Sequence, residues 1–519
     1  MENATILNIH RSIVLTWKSR KDTIFFQPLL NPKPKPFTSF PTLIALSSLG
    51  SSSPAPAPSH QTSSSMHTTL LVEAYHNHCR LKALLHKLEE ENACPLLLLR
   101  DDGDWTKDQF WAVIKFLRYS SRCKEILQVF DVWKNIEKAR INELNYEKII
   151  RLLVEEDMME EVVEEDMMEE AVRALREMEF HCLKPCLEVY NLIIHGYARN
   201  GKFDNALFFL NEMKEIHLAP ETCTYDGLIE AYGKYKMYDE IGLCLKKMEM
   251  DGCLPDHWTY NLLIREFSRG GLLKRMEKVY RTMLLRRMNF QPSSLVAMLE
   301  AYANFGILDK MEKVYRKVLA FRELKEDLVW KVASVYIGHH MFSRLDDLGL
   351  DLYSREGSND TVWCLRLLSH ACLLSRKGMD SIVQQMEKAD VPWNVTIANI
   401  ILLAYLKMKD FNNLRSLFYS LSTHHVKPDI ITIGIIFDAN RVGFDGAGIL
   451  ETWRKMGLLY RDAEMNTDPL VLTAFGKGHF LRGCEDAYIS LGPDAREKKR
   501  WTYHCIIDLV IKENSKQPM

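Results

Sequence analysis

Apolar and polar positions alternate along most of this chain with a helical period, and the pattern itself repeats. In residues 187–213 a first run sets Tyr190, Leu192, Ile193 and Tyr197 at helical spacing. The polar turn Asn200-Gly201-Lys202 follows, and a second run carries Ala206, Leu207, Leu210 and Met213. A proline closes the unit, and the same punctuation recurs at Pro185, Pro220, Pro255 and Pro428. Proline disfavours helix in the residue before it and cannot extend a helix ladder, so each one marks a break between helical hairpins.

The period is 35 residues. The aromatics Tyr197, Tyr232, Phe267 and Tyr302 are spaced by 35, and Tyr405, Asn440, Phe475 and Val510 keep the same step. Nine residues after the first four stand Ala206, Ile241, Met276 and Met311, apolar positions of the second helix. One hairpin cannot bury both of its apolar faces, whereas stacked hairpins can. The predicted fold is all-α, an α-solenoid superhelix of about eleven 35-residue helix-turn-helix repeats. Met178, Met213, Met248 and Met283 recur at repeat spacing and are read as core. Between 326 and 394 the pattern fits only with small gaps.

Residues 154–171 carry the nonapeptide VEEDMMEE(V/A) twice in tandem. Leu153 lies 44 residues before Tyr197, nine more than one period. The copy falls where a first helix ends and a second begins. Nine residues turn a helix by roughly 900°, half a turn out of phase, so a copy inside a packed helix would point its buried face outward. The expectation is a protruding longer helix or loop, acidic because carboxylates suit a helix N-terminus. An acidic docking patch is the functional alternative.

Composition changes the picture at the N-terminus. Residues 1–66 include SSLGSSSPAPAPSHQTSSS and hold six basic residues against two acids, Glu2 and Asp22. A basic, Ser-rich, acid-poor leader has the character of an organelle transit peptide, here of plastid type, with mitochondrion as the alternative. Residues 67–106, including EAYHNHCRLKALLHKLEEE, are expected to form an N-terminal helical cap, and residues 107–519 the repeat array. Twelve scattered cysteines, none in C-x-x-C spacing, fit reduced thiols and not a disulfide framework. No apolar run is long enough for a membrane span, so no membrane partner is expected.

The phrases KPCLEVYNLIIHGYARNGKFDNALFFLNEMKEIHLAPETCTYDGLIEAYGKYKMYDE and LPDHWTYNLLIREFSRGG resemble the pentatricopeptide repeat family in its P-class, plant organellar form. The resemblance implies binding of single-stranded organellar RNA in support of processing, splicing or stability. It implies chloroplast localisation, together with processing or splicing protein partners. It also implies that two residues per unit select one base. Those pairs would be Asn191 with Glu221, Asp226 with Asp256, Asn261 with Gln291, and Asn399 with Asp429. Asn399 with Asp429 is a pairing the family associates with uracil. Asp226, Val296 and Gly434 depart from the Asn, Ser or Thr usual at the first site, and each Asn is also suited to cap a helix.

The formal net charge is −2, which points to no polyanion. Position matters more than the sum. Two residues after each landmark stand Arg199, Lys234, Arg269, Asn304, Lys407, Val442, Lys477 and Lys512, six of the eight basic. Equivalent positions of a solenoid share one face, so these cations predict a stripe for successive phosphates. The alternative is that each cation sits at a helix C-terminus and answers its dipole. No phosphate loop, deaminase motif or metal-binding spacing occurs; the chain is expected to be no enzyme and to use no cofactor and no metal. A protein-binding α-solenoid scaffold without RNA contact is the competing function.

Overall fold

The structure, a computed structural model, describes residues 79–89, 94–120, 122, 124–156, 166–319, 324–357, 359–463, 468–490 and 501–514. The leader 1–66 and the centre of the duplication, 157–165, lie outside the described residues. Contacts divide the chain into Met1–His86 and Lys87–Met519. Within the first unit, residues 79–86 are described and are helical.

The second unit opens with a short helix, α1 (Pro95–Asp102), followed among the described residues by eleven helix pairs. The first helices of the pairs are α2 (Lys107–Tyr119), α4 (Glu143–Glu156), α6 (Leu187–Arg199), α8 (Thr222–Lys234), α10 (His257–Arg269) and α12 (Pro292–Asn304). They continue with α14 (Glu326–Gly338), α16 (Asp360–Cys372), α18 (Val395–Met408), α20 (Ile430–Asn440) and α23 (His479–Ser490). Their second helices are α3 (Lys124–Ile136), α5 (Asp166–Phe180), α7 (Phe203–Glu215), α9 (Tyr238–Met250), α11 (Leu273–Leu285) and α13 (Leu308–Val318). The remaining second helices are α15 (Ser343–Glu356), α17 (Arg376–Lys388), α19 (Phe411–Ser420), α21 (Ala447–Lys455) and α24 (Tyr503–Asn514). One more short helix, α22 (Pro469–Phe475), belongs to no pair. The fold is an all-α solenoid of the predicted repeat.

The period is visible in the core. Ala206, Ile241, Met276 and Met311 are all fully buried, as are Met213, Met248 and Met283. Each of the Ile and Met side chains removes enough apolar surface from water to stabilise the stack by about 1.5–3 kcal/mol. The landmark aromatics Tyr197, Tyr232, Phe267, Tyr302 and Tyr336 are also buried. Their carbonyls end the first helices in a second way: each accepts a hydrogen bond from the amide five residues on. Lys202 N–H donates to the Tyr197 carbonyl at 2.9 Å, Met237 to Tyr232 at 2.8 Å and Leu272 to Phe267 at 2.8 Å. This wrapped C-cap needs a left-handed residue between, supplied by Gly201, Gly271 and Gly306 but also by Lys236, His340, Leu374 and Lys409. The turn is thus imposed by the repeat even where the residue type resists it.

From α6 to α14 the stack is regular: each first helix packs on the next first helix and on its own second helix. Polar ties join a second helix to the one before it and to its own first helix. Tyr190 donates to Glu212 at 2.9 Å, and Arg176 grips the same carboxylate with two bonds of 2.6 and 2.7 Å. One unit later Tyr225 and Lys214 both donate to Asp251.

Beyond α14 the regularity breaks where the sequence pattern was poor. The main partner of α15 is α16, not α14. A second break follows α20. The helix that packs on α20 is α23: Phe437 and Phe480 stack at 4.5 Å, and Phe480 N–H donates to Asp438 at 3.0 Å. From Ile430 to His479 is 49 residues, 14 more than a period. The extra length carries α22, which packs instead on α14, α16 and α18. The 35-residue step to Phe475 is therefore a coincidence of spacing.

Candidate nucleic-acid interface

The residues expected to select bases come together at the junctions between successive first helices. The fifth residue of a first helix lies at the start of the next, and at Asn261 and Asn399 it bonds the N-cap residue itself, so a pair that is distant in sequence becomes adjacent. Asn399 Nδ2 donates to both carboxylate oxygens of Asp429, at 3.1 and 3.2 Å. Asp429 caps α20, accepting from Thr432 N–H at 2.7 Å, while the Thr432 hydroxyl donates to Asn399 Oδ1 at 2.8 Å. Asn261 Oδ1 accepts from the Gln291 backbone N–H at 2.8 Å. Asn191 Oδ1 accepts from the Thr224 hydroxyl at 2.7 Å, and Thr224 stands in the capping box whose cap is Glu221. These amides act as links between repeats as well as occupants of the expected site.

Asp226 is the exception. Its Oδ1 is buried without a hydrogen-bond partner. Burial pushes its carboxyl up to about 6; the Thr259 hydroxyl works against the shift, and the charges of Asp256 and Glu230 add to it. Asp256 itself caps α10, accepting from Trp258 and Thr259 N–H at 2.8 and 2.9 Å.

A row that sequence reading missed lies one turn earlier. The second residues of α6, α8, α10 and α12 are Glu188, Cys223, Trp258 and Ser293, and all four are exposed. Trp258 is 59% exposed. An indole outside the apolar phase of its helix was the available signal. The same position is covered in α16 and α20, where Thr361 is 8% exposed and Ile431 3%, and half-buried in α18 at Thr396, while Asp327 of α14 stays exposed.

The cations expected to hold phosphates sit at the other end of the first helices. Arg199, Lys234 and Arg269 are the final residues of α6, α8 and α10, and Lys407 is in the last turn of α18. From fifth residue to stripe is eight positions, about 12 Å along the axis. Lys234 Nζ donates to the Arg199 carbonyl at 3.3 Å, capping the preceding first helix. Arg269 donates to Glu266 at 2.9 Å while remaining 61% exposed. Arg199 is half-buried and Lys407 exposed. Lys477 follows α22, off the ladder of first helices, and pairs with Glu485 at 2.6 Å. The side chain of Lys512 lies outside the described residues. The arrangement serves both readings of the stripe: a helix C-cap within the protein and a cationic edge toward solvent.

Among the described residues no group of three or more His, Cys, Asp or Glu is placed to hold a metal ion, and the cysteines are free thiols. No described helix is long and apolar enough to cross a membrane.

The PPR repeat family model matches residues 185–234 and 220–269, and the PPR repeat model matches 258–288. A chloroplastic pentatricopeptide repeat-containing protein of Arabidopsis thaliana is 53% identical over 447 residues, covering 85% of this chain and 87% of its own. Among solved structures, maize PPR10 is 16% identical, with a TM-score of 0.38 over 82% of this chain and 66% of that one. Its complex with an 18-nucleotide psaJ RNA element gives 16% identity and a TM-score of 0.39, covering 85% and 58%. Yeast Rmd9p with a 16-nucleotide target RNA gives 11% and 0.30, covering 85% and 90%.

Proposed function

The chain belongs to the pentatricopeptide repeat family, and on that premise we propose that it is a non-enzymatic binder of single-stranded RNA in the chloroplast. The observation that carries the reading is the row at the start of the first helices. Between 187 and 304 each unit presents one exposed side chain, beside a junction that holds an amide or a carboxylate. Single-stranded RNA is recognised by stacking of splayed bases and by hydrogen bonds to their edges, about one base per helical repeat in proteins of this kind. Trp258 offers a stacking plane, and Asn191, Asp226 and Asn261 with Glu221, Asp256 and Gln291 offer the polar partners. Arg199, Lys234 and Arg269 run along the far edge for phosphates. Asn399 with Asp429, and Lys407, occupy the equivalent positions on α18 and α20. Holding a strand blocks nucleases and competing base pairs, which supports processing, splicing or stability of the bound transcript.

The Arabidopsis relative is named chloroplastic, which supports the same compartment here. Residues 1–66 would then serve as the transit peptide, 67–106 as the cap and 107–519 as the array.

A scaffold reading draws on one observation. Phe180, Met250 and Leu285 end second helices at multiples of the period and are 82%, 79% and 85% exposed. Sequencing RNA crosslinked to the tagged protein in isolated chloroplasts tests the proposal. Recovery of a defined transcript segment supports it. Copurifying protein without enriched RNA would favour the scaffold.

A further inference from the structure

The helix α22 stands on the face just assigned to RNA. Its cap, Asp468, accepts a hydrogen bond from the Thr396 hydroxyl at 2.8 Å, across 72 residues of sequence. Thr396 is the second residue of α18, the position that Glu188, Cys223, Trp258 and Ser293 occupy in the open units. The Asp468 charge also reaches Cys364, the fifth residue of α16 and the equivalent of Asn191, Asp226 and Asn261. The Cys364 thiol is raised first by burial and then by that carboxylate, with Asp360 and Glu326 beside it. Leu470 and Val471 of α22 are 3% and 0% exposed, and the helix packs on α14, α16 and α18. The second-residue row that lies open between 187 and 304 is closed at α16, where Thr361 is buried, and half-closed at α18, where Thr396 is held by Asp468.

We propose that segment 468–475 is a built-in plug that ends the strand track, so that RNA is read by the units from Leu187 to Asn304 and not by those from Asp360 to Met408. The inference rests on the RNA reading above and sharpens it. The protein itself fills the positions where bases would sit. The Asn399–Asp429 pair then joins repeats and reads no base. The 14 residues by which the unit after α20 exceeds the period are what let the chain reach back over three first helices.

The test uses the full chain and random-sequence single-stranded RNAs of graded length, with affinity measured at low salt. For the unaltered protein, affinity is expected to rise with length to about four nucleotides and then level off, one base per open unit. Val471→Asp places a charge in the seat of α22 and unseats it. Affinity should then keep rising to about eight nucleotides, with a gain of roughly tenfold on the longest RNA. Asp468→Ala removes only the cap and the Thr396 bond. It should shift the plateau in the same direction with a gain of about threefold, and it keeps the test valid if Val471→Asp does not fold. A plateau at eight or more nucleotides in the unaltered protein, or no change in a folded variant, overturns the plug and leaves RNA binding standing. No binding at any length overturns the RNA reading, and the plug with it.

Discussion

The units from 187 to 304 and those from 326 to 440 are built from the same repeat and present opposite surfaces. In the first region the second residue of each first helix is open to solvent, and successive first helices pack in an unbroken row. In the second, α15 packs mainly on the following helix, α22 lies across three first helices, and the equivalent positions of α16 and α20 are buried, with Thr396 of α18 half-buried. A period alone therefore fixes which residues line up, not whether their shared face is accessible. That depends on what the departures from the period do with their extra residues.

The contrast can be broken most sharply at its glycines. A Cβ on Gly227 would sit 2.2 Å from the ring of His195, which is confined between α6 and α8 and hydrogen-bonded to the Thr224 carbonyl. Gly227→Ala is expected to cost about 2–3 kcal/mol, read as faster amide hydrogen exchange in α6 and α8. A Cβ on Gly434 meets Phe480 at an ordinary 3.4 Å. Gly434→Ala in α20 should be neutral or stabilise by about 0.5 kcal/mol, because alanine is the better helix former.

Charge reversal comes next. Lys234→Glu with Arg269→Glu should weaken binding of all single-stranded RNAs alike by roughly tenfold and flatten the salt dependence. Lys477→Glu, off the ladder, should change affinity less than about twofold. Equal effects from both would remove the distinction between the regions.

A smaller effect separates pH from sequence. The Asp226 carboxyl titrates near 6 in the fold and near 4 unfolded. The folded state thus binds the proton more tightly, so stability falls as pH rises from about 4 to 6, and the full penalty is present above 6. Asp226→Asn should raise stability by about 1 kcal/mol at pH 7.5, allowing for partial solvent contact, and the gain should vanish near pH 4. Melting curves at the two pH values decide it. The smallest expected change is at the turns: Leu374, held at φ 52°, gains about 0.5 kcal/mol on replacement by Gly.

The regular region was legible because its period is carried by buried residues. Tyr197, Ile241, Met276 and Met311 recur where packing demands them, and Gly201 and Gly271 mark the turns. The irregular region was half legible: the poor fit between 326 and 394 marked where α15 changes partner. The plug was not. Phe475 falls on the 35-residue step, and PLVLTAF has the apolar content of a first helix, so periodicity enrolled it in the ladder. Only Pro469 and Gly476 at its two ends hint at a helix of seven residues. Among the site residues, the pairs came from the family resemblance. It could not disclose that Asn399 is fully occupied within the protein, nor that Lys234 spends its ammonium on the Arg199 carbonyl. Hydrogen bonds between side chains 30 to 35 residues apart leave no mark in composition.

The central claim is that a strand lies along the open first-helix face between 187 and 304. Ultraviolet crosslinking of bound RNA, with the attached peptides identified by mass spectrometry, tests it most directly. The account predicts adducts on the α8 and α10 peptides that carry Cys223 and Trp258, and none on α16, α18 or α20. Adducts concentrated on those last three helices, or on the second helices, would contradict it.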